Sequence, residues 1–343
     1  MAVRWHSRDC VLPSITVHLS EPRCETCGAF PQLDKLRQQQ MDIPSLLPIP
    51  PDEPLGELNL RWPPTVIYSR DDGLDEIQLF DEDGLRAAAP GPSDCPVCSQ
   101  SLGSSEIRLL LLSPSPVVEA PIHLTLEIFP EDDCPEYEAV SYTWGGEEGD
   151  STPALPAYVG RYWDILLQTR NCHSMLRYLR RRDRLRTLWV DAICLNQRSA
   201  QEKAAQIPRM DAIYKRAMRD IAFLEDLPGK QRFPPRRTTA DLEVSITNNM
   251  TKLRYFTRLW VIQELILARS VVFVYRGLEI HHDAAQGSKA NRIQWFGTPA
   301  PWLRHLATQG FNEDEGLTGA LHLTHASKSA DIRDRIFGIE YSG

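Results

Sequence analysis

Four of the eight cysteines form two pairs in which two residues separate the thiols. The first pair is Cys24 and Cys27, and the second is Cys95 and Cys98. Small or turn-forming residues around such pairs let backbone N–H groups point at the sulfurs, and four thiolates make a closed tetrahedral site for structural zinc. The spacing therefore predicts one zinc ion held by these four cysteines.

The long stretch between the two pairs leaves alternatives open. A gap of 67 residues separates them, which weakens the pattern, although a looped insertion closes at a modest entropic cost. Cys10, His6 or His18 could complete the site instead, and four unliganded thiols are a further alternative. In each zinc-bound case the metal would stabilise a small module that has little hydrophobic core of its own.

A carboxylate within an apolar helix is the second chemical feature. Glu264 has aliphatic residues on both sides, and Trp260 lies four residues earlier on the same helical face. A buried carboxylate is costly unless it is paired or used in a reaction. Glu264 is therefore either a functional group or a structural one that caps its helix or pairs with an arginine such as Arg258.

Two further groups of reactive or charged side chains are interpreted as structural. Cys194 has apolar neighbours and no histidine close by in the sequence, which favours buried packing over a nucleophilic role. Six arginines follow one another closely between residues 177 and 186, which is typical of a solvated helix face. Contact with an acidic module and self-assembly are the alternatives for this run. Its members are Arg177, Arg180, Arg181, Arg182, Arg184 and Arg186.

Proline and charge divide the chain that carries these groups. Twenty of the 26 prolines lie before residue 160, which disfavours long helices there. Residues 1–160 hold 9 basic and 27 acidic side chains, whereas residues 161–343 hold 29 and 19. We predict three segments: an N-terminal Pro-rich, zinc-stapled module at 1–103, a main domain at 104–275 and a helical extension at 276–343. Two modules of opposite sign would dock against each other.

From residue 104 onward, predicted strands alternate with amphipathic helices. The strands are Ile107–Leu112, His123–Phe129, Tyr137–Trp144, Thr187–Ala192, Asp220–Leu224 and Val271–Tyr275. The helices are Thr169–Arg182, one opened by a Ser199/Glu202 capping box and interrupted at Pro208, Thr251–Ala268, Trp302–Thr308 and Leu317–His325. This alternation predicts an α/β fold with a parallel sheet flanked by helices.

Composition excludes several classes of protein. The first 100 residues hold 16 acidic and 8 basic side chains, the wrong sign for binding nucleic acid through the predicted zinc module. Neither an N-terminal apolar segment of signal-peptide length nor a run of about 20 apolar residues is present. We therefore expect a cytoplasmic protein that binds neither nucleic acid nor membrane.

Three blocks of sequence resemble the heterokaryon-incompatibility (HET) domain, a fungal cell-death module. They are YEAVSYTWG at 137–145, LWVDAICLNQ with its sequel at 188–217, and RLWVIQELILA at 258–268. A fourth block, DIRDRIFGI at 331–339, is similar to an element found downstream in that family. The resemblance covers about 200 residues and is specific, since the motifs occur in the family's order.

The family in turn resembles Toll/interleukin receptor (TIR) domains, which implies a flavodoxin-like sheet. Ligands of such sheets bind beyond the carboxyl ends of the strands. The resemblance thus implies a substrate site that contains residues of the first two strand ends and of the later helix. These are Tyr142, Trp144, Gly145, Asp191, Asn196 and Trp260. The alternative for Gly145 and Gly146 is a strand-ending turn, and for Asp191 a role in holding the loop shape.

The TIR likeness also implies a reaction. In several TIR enzymes the glutamate that corresponds to Glu264 is catalytic in the cleavage of NAD, which makes this protein a candidate NAD glycohydrolase. The implied biological role is cell death after non-self recognition, with self-association on activation and a non-self partner protein. The alternative is a non-enzymatic signalling adaptor that acts by homotypic assembly.

Overall fold

The computed structural model describes residues 2–36, 102–225, 249–283 and 300–306, together with residues 324 and 327. The fold is mixed α/β, with eleven strands and six short α-helices in the described part of the chain. The strands are β1 (Ile15–His18), β2 (Glu21–Cys24), β3 (Glu106–Leu112), β4 (Ile122–Pro130), β5 (Glu138–Tyr142), β6 (Leu155–Val159), β7 (Asp164–Gln168), β8 (Arg186–Val190), β9 (Asp220–Glu225), β10 (Ser270–Tyr275) and β11 (Leu278–Asp283). The α-helices are α1 (Leu33–Leu36), α2 (Arg170–Leu179), α3 (Asp191–Cys194), α4 (Ala200–Gln206), α5 (Met210–Arg216) and α6 (Trp260–Ile266).

The chain divides into two compact units, each made of separate stretches of sequence. The first unit comprises Met1–Tyr137, Pro153–Thr169 and His173–Glu202. The second unit comprises Glu138–Thr152, Arg170–Cys172 and Lys203–Gly343. The three segments predicted with boundaries at 103/104 and 275/276 remain a prediction.

In the first unit the strand order is β8-β3-β4-β6-β7. Strand β3 runs antiparallel to both β4 and β8, β4 pairs in parallel with β6, and β6 and β7 form an antiparallel hairpin. Leu109 to Leu112 are fully buried, because a central strand covered on both faces has no solvent side. A separate two-stranded sheet, β1 with β2, lies near the N-terminus of this unit.

In the second unit the strand order is β11-β10-β9-β5. Strands β5, β9 and β10 are parallel, and β11 closes a hairpin onto β10. Every residue of α6 after Trp260 is buried, and the helix packs with Phe273 of β10, Phe256 and Trp302 in one apolar core. Val, Ile and Phe residues in β9 and β10 favour the strand conformation and fill this core.

All six strands predicted from the sequence are present, with ends that differ by at most two residues. Pro208 interrupts the helix as predicted: a 3₁₀ turn at Ile207–Arg209 separates α4 from α5. The Glu202 backbone N–H donates to Ser199 Oγ at 3.1 Å, which confirms Ser199 as the cap of α4.

The predicted parallel sheet is present in part: β5, β9 and β10 pair in parallel, as do β4 and β6, but other pairs are antiparallel. Hairpins supply the antiparallel pairs β3/β4, β6/β7 and β10/β11, and β3 also lies antiparallel to β8. The TIR-like topology remains a prediction. The long helix expected at Thr251–Ala268 is also divided, into a 3₁₀ turn at Arg254–Thr257 and α6. Leu253 and Arg258, on either side of that turn, have extended backbone, which separates the turn from α6.

The interpretation of the arginine run as a solvated face is wrong for three of its members. Arg180, Arg181 and Arg186 are buried. The Arg180 guanidinium donates to the backbone carbonyls of Val117, Val118, Ala120 and Pro121 at 2.9 to 3.1 Å. Arg180 thus binds the carbonyls of a turn inside the first unit, and Arg182 is the one exposed member of the run, while Arg177 and Arg184 are half-buried.

Several sequence predictions fall outside the described residues. They concern Cys95 and Cys98, most of the predicted helix at 317–325 and the motif at 331–339. The helix predicted at Trp302–Thr308 is a 3₁₀ turn at Pro301–His305 in the part that the structure describes. Within the described ranges, no helix combines the length and apolarity that a membrane crossing requires.

Candidate functional site

Glu264 lies inside the second unit and is held by a residue of another element. Its side chain is 3% exposed. Ser141 of β5, itself buried, donates a hydrogen bond through Oγ to Glu264 Oε2. Ser141 Oγ also lies 2.6 Å from the hydroxyl of Tyr255. Because the serine has a single proton and gives it to the carboxylate, the tyrosine must be the donor to the serine.

A second carboxylate, that of Asp220, belongs to the same buried cluster. Asp220 is the first residue of β9, is fully buried, and has no hydrogen-bond partner for either oxygen among the described residues. Burial first and the nearby charge of Glu264 second raise its pKa well above the usual range, although the Ile221 amide offsets part of the effect. Asp220 is consequently protonated over a wider pH range than an ordinary aspartate.

Tyr255 completes the buried polar cluster, which consists of Ser141, Asp220, Tyr255 and Glu264. Burial and the two carboxylates raise the pKa of its phenol well above the usual value, so that the hydroxyl keeps its proton and acts as a donor. Arg258 moderates that effect by its positive charge. The Arg258 guanidinium also donates to the backbone oxygen of Tyr142 at 2.5 Å, so the arginine lies at the end of β5.

The glycine loop that follows β5 has a tight backbone of its own. Gly146 N–H donates to Thr143 O and Gly149 N–H to Gly145 O, both at 2.9 Å. A Cβ atom on Gly145 would lie 2.6 Å from the carbonyl carbon of Gly149, so no larger residue fits there. The turn geometry by itself therefore accounts for glycine at this position. Trp144 beside it is half-buried.

The predicted substrate-site residues are divided between the two units. Tyr142, Trp144, Gly145, Trp260 and Glu264 belong to the second unit, and Asp191 and Asn196 belong to the first. Asp191 Oδ1 accepts from the Ala192 amide at 2.6 Å, and its carbonyl accepts from Gln197 Nε2 at 2.8 Å. Asn196 Oδ1 accepts from the Arg198 amide at 3.1 Å. Both side chains thus shape the loop that follows β8.

Comparison with known families identifies the region that carries these features. Residues 137–264 match the family model described as heterokaryon incompatibility protein (HET). The match begins one residue before β5 and ends at Glu264. This region of the chain is similar to the HET domain.

Two fungal relatives have the same domain name or function in their descriptions. Heterokaryon incompatibility protein 6, OR allele, of Neurospora crassa is 31% identical over 128 residues, which cover 35% of this chain and 19% of that protein. Vegetative incompatibility protein HET-E-1 of Podospora anserina is 28% identical over 155 residues, which cover 43% of this chain and 10% of that protein. The aligned region thus spans a fifth or less of each relative. No solved structure matches the chain.

Sequence reasoning missed three members of the cluster around Glu264 of the HET domain. Ser141 belongs to a predicted strand, but the sequence does not show that all five residues of β5 are buried. Tyr255 was assigned to a continuous helix. Asp220 heads an otherwise apolar strand, and that carboxylate beside apolar residues is the one signal that could have identified it.

A buried ion pair in the first unit was missed as well. Arg108 of β3 donates to Glu202 Oε1 and to the carbonyl of Cys194, both at 2.9 Å. Burial acts to raise the pKa of Glu202, but Arg108 and the amides of Asn196 and Leu102 outweigh it and lower the pKa overall. Glu202 thus does not complete the capping box with Ser199; it holds the loop after β8 of the HET domain.

Cys194 is a packing residue, as predicted. It is fully buried, and burial raises the pKa of its thiol to about 12. Its sulfur accepts a hydrogen bond from the Val190 amide at 3.3 Å. A thiol in this state is a poor nucleophile.

A cluster that could hold a metal ion lies outside the HET match, in the N-terminal part of the first unit. It comprises His6, Cys10, Cys24 and Cys27, whose donor atoms all lie within 4.8 Å of one another. Cys24 and Cys27 belong to the predicted set, and His6 and Cys10 were among the alternatives for completing it. Cys95 and Cys98 lie outside the described residues.

Proposed function

We propose that this HET-domain protein triggers cell death in non-self recognition, and that it does so by cleaving NAD with Glu264. The HET match and the names of the relatives support a function in heterokaryon incompatibility. The enzymatic step rests on the likeness of HET and TIR domains and on the environment of Glu264. The HET protein would associate with itself on activation and respond to a non-self partner protein.

The reaction needs one carboxylate and one water molecule. The bond between ribose C1′ and the nicotinamide nitrogen breaks, its electron pair leaves with neutral nicotinamide, and positive charge develops on the ribose. The Glu264 carboxylate would stabilise that charge and accept hydrogen bonds from the ribose hydroxyls. Water then adds to C1′ and releases a proton, which gives ADP-ribose, nicotinamide and H⁺.

The observation that carries this proposal is the chain of hydrogen bonds that ends on Glu264. Tyr255 donates to Ser141, and Ser141 donates to the carboxylate. Two donors in series orient the carboxylate and favour its charged form, which is the form that stabilises a cationic ribose. Within the second unit, Trp144, Trp260 and the backbone at Gly145 would contact the nucleotide.

The low exposure of Glu264 favours a second candidate function, that of a non-enzymatic adaptor. A carboxylate that is 3% exposed and hydrogen-bonded to a buried serine is equally typical of a residue that only stabilises the fold. In that case the HET domain acts by homotypic assembly, and Glu264 contributes only to stability. Arg258, close to the cluster, is the cation that such a structural carboxylate would use.

Expression of variants in a fungal host distinguishes the two functions. The enzyme proposal predicts that wild-type protein kills and depletes cellular NAD, and that Glu264→Gln at equal soluble level does neither. The control Glu279→Gln makes the same chemical change at an exposed position of β11 in the same unit and should kill like wild type. Killing by soluble Glu264→Gln without NAD loss would overturn the enzyme proposal and support the adaptor.

A further inference from the structure

The N-terminal hairpin of the first unit has too few interactions to stand alone. Strands β1 and β2 have four residues each, and β1 contains no buried residue. The two residues of their turn, Leu19 and Ser20, both have positive φ, at 49° and 67°. Side chains larger than glycine are uncommon in that conformation, and an isolated two-stranded hairpin is marginal at best. Some other interaction must hold β1 and β2 in place.

Four potential metal donors meet at the end of this hairpin. Cys24 is the last residue of β2, Cys27 follows in the turn after it, and His6 and Cys10 come from the preceding loop. The backbone around the thiols is tightly bonded, with Gly28 N–H donating to Cys24 O at 2.7 Å. Gly28 has a φ of 70°, which glycine adopts without strain. Two loops thus present their donors to one point.

The distances between donors match the edges of a metal tetrahedron. With metal–sulfur bonds of about 2.3 Å, neighbouring sulfurs lie about 3.8 Å apart, and sulfur–nitrogen edges are about 3.5 Å. Cys10 Sγ lies 3.8 Å from Cys24 Sγ, and His6 Nδ1 lies 3.8 Å from Cys10 Sγ and 3.7 Å from Cys27 Sγ. The cluster therefore has the dimensions of a site for an ion with short bonds to sulfur.

The imidazole of His6 is held in the orientation that a metal ligand needs. Its Nε2 lies 2.7 Å from the carbonyl oxygen of Tyr162. A carbonyl only accepts, so Nε2 carries the proton and Nδ1 presents its lone pair to the three thiols. A backbone carbonyl on the far nitrogen is the usual outer partner of a metal-bound histidine.

We propose that His6, Cys10, Cys24 and Cys27 bind one zinc ion in a closed tetrahedral site. Three thiolates and one imidazole are a donor set that selects zinc over magnesium or calcium, which prefer oxygen. All four positions are taken by protein atoms, so the ion has no open position for a substrate and its role is structural. The site is separate from the Glu264 cluster and does not depend on the proposed reaction.

The zinc ion would fasten the N-terminal segment to the turn between β6 and β7. Val3 forms a bridge with Ile165, and Arg4 pairs with Asp164 at 2.5 and 3.1 Å. Trp5 Nε1 donates to Trp163 O at 2.7 Å. His6 continues this series through its bond to Tyr162, so the metal ligand is also a member of the docked segment. Metal binding and docking of residues 3–6 are therefore coupled.

Zinc content of the purified full chain tests the ligand set. The expected result is one zinc per chain for wild type, none for Cys10→Ser, and one for the control Cys134→Ser, which removes a partly buried thiol elsewhere in the unit. The double variant Cys95→Ser/Cys98→Ser should keep its zinc. Loss of zinc from that double variant, or its retention in Cys10→Ser, would overturn the assignment.

X-ray absorption on the wild-type protein gives an answer even if a variant fails to fold. The proposal predicts a first shell of three sulfurs at about 2.3 Å and one nitrogen at about 2.0 to 2.1 Å. Four sulfurs would mean that His6 is not a ligand, and a wild-type protein purified in the presence of zinc but free of metal would mean that the site does not bind it. Either result contradicts the proposal.

Discussion

At the scale of single residues, the second unit holds two carboxylates in one buried cluster, and the hydrogen-bond donors around them differ. Glu264 receives a hydrogen bond from the Ser141 hydroxyl, whereas no side chain of the described residues donates to Asp220. A buried carboxylate without a side-chain donor in an apolar setting has its neutral form favoured. The two side chains thus divide by environment: Ser141 donates to Glu264, whereas burial and the nearby charge of Glu264 raise the pKa of Asp220.

This division predicts a pH dependence for Asp220. A raised folded-state pKa means that folding loses stability as pH rises from the ordinary aspartate pKa of about 3.9 to the folded value, and that the cost persists above it. Asp220→Asn cannot ionise and escapes that cost. Its thermal midpoint should equal or exceed that of wild type at pH 8, with the difference shrinking toward pH 4.

Thermal unfolding of both proteins across that pH range makes the measurement. The control Asp133→Asn changes an exposed aspartate of the first unit and should show no such trend. An Asp220→Asn protein that is much less stable than wild type at pH 8 but not at pH 4 would show that Asp220 is a needed anion.

At the scale of elements, arginine takes a role that sequence patterns do not reveal. The guanidinium of Arg180, the residue that follows α2, donates hydrogen bonds to four backbone carbonyls of the turn at 117–121. Arg177 also donates to the Val118 carbonyl. Arginine suits this task because its planar guanidinium presents five donors in fixed directions, which a lysine ammonium cannot do. The turn is thereby bound to the helix.

Arg180→Lys should therefore destabilise the protein even though it keeps the charge. Hydrogen bonds to charged groups and unsatisfied buried carbonyls each contribute about 1 to 3 kcal/mol, so we expect a loss of at least about 2 kcal/mol in the free energy of unfolding. Arg182→Lys, the same change at an exposed position two residues later, should stay within about 0.5 kcal/mol. Urea unfolding measures both variants. Equal stability of Arg180→Lys and wild type would contradict the role of Arg180 in binding the turn to the helix.

The elements that were predicted correctly have local causes. The Ser199 cap and the break at Pro208 follow from side-chain and backbone chemistry within a few residues. Strand β11 escaped prediction because its two-residue turn has Arg276 and Gly277 at positive φ, where asparagine or aspartate at the first position is the recognisable signal. The turn of β1 and β2, with Leu19 and Ser20, carries even less signal.

The candidate site was predictable only in part for a similar reason. Glu264 could be found because an acidic residue interrupts an apolar helix, and the metal-binding pair Cys24/Cys27 because of its spacing. Ser141 lies 123 residues from Glu264 along the chain, and no local sequence pattern predicts a contact over that separation. The buried state of Arg180 likewise depends on a turn about 60 residues away.

At the scale of the whole molecule, the opposite charges of the two halves have several uses. Part of the positive charge of residues 161–343 is buried inside the first unit, where Arg180 donates to the turn at 117–121 and Arg186 donates to the carbonyl of Leu179. These buried cations cannot serve as a surface for self-assembly. Assembly on activation, if it follows the adaptor proposal, must use other residues.

The most direct test of the central claim is nicotinamide release from NAD by the purified HET protein. The enzyme proposal predicts release by wild type, in dilute or concentrated solution, and a fall of about 10²- to 10³-fold for a folded Glu264→Gln variant, the usual effect of removing one electrostatic group from a transition state. The control Glu279→Gln should match wild type. Absence of release by wild type at every concentration, or equal release by Glu264→Gln, would contradict the account.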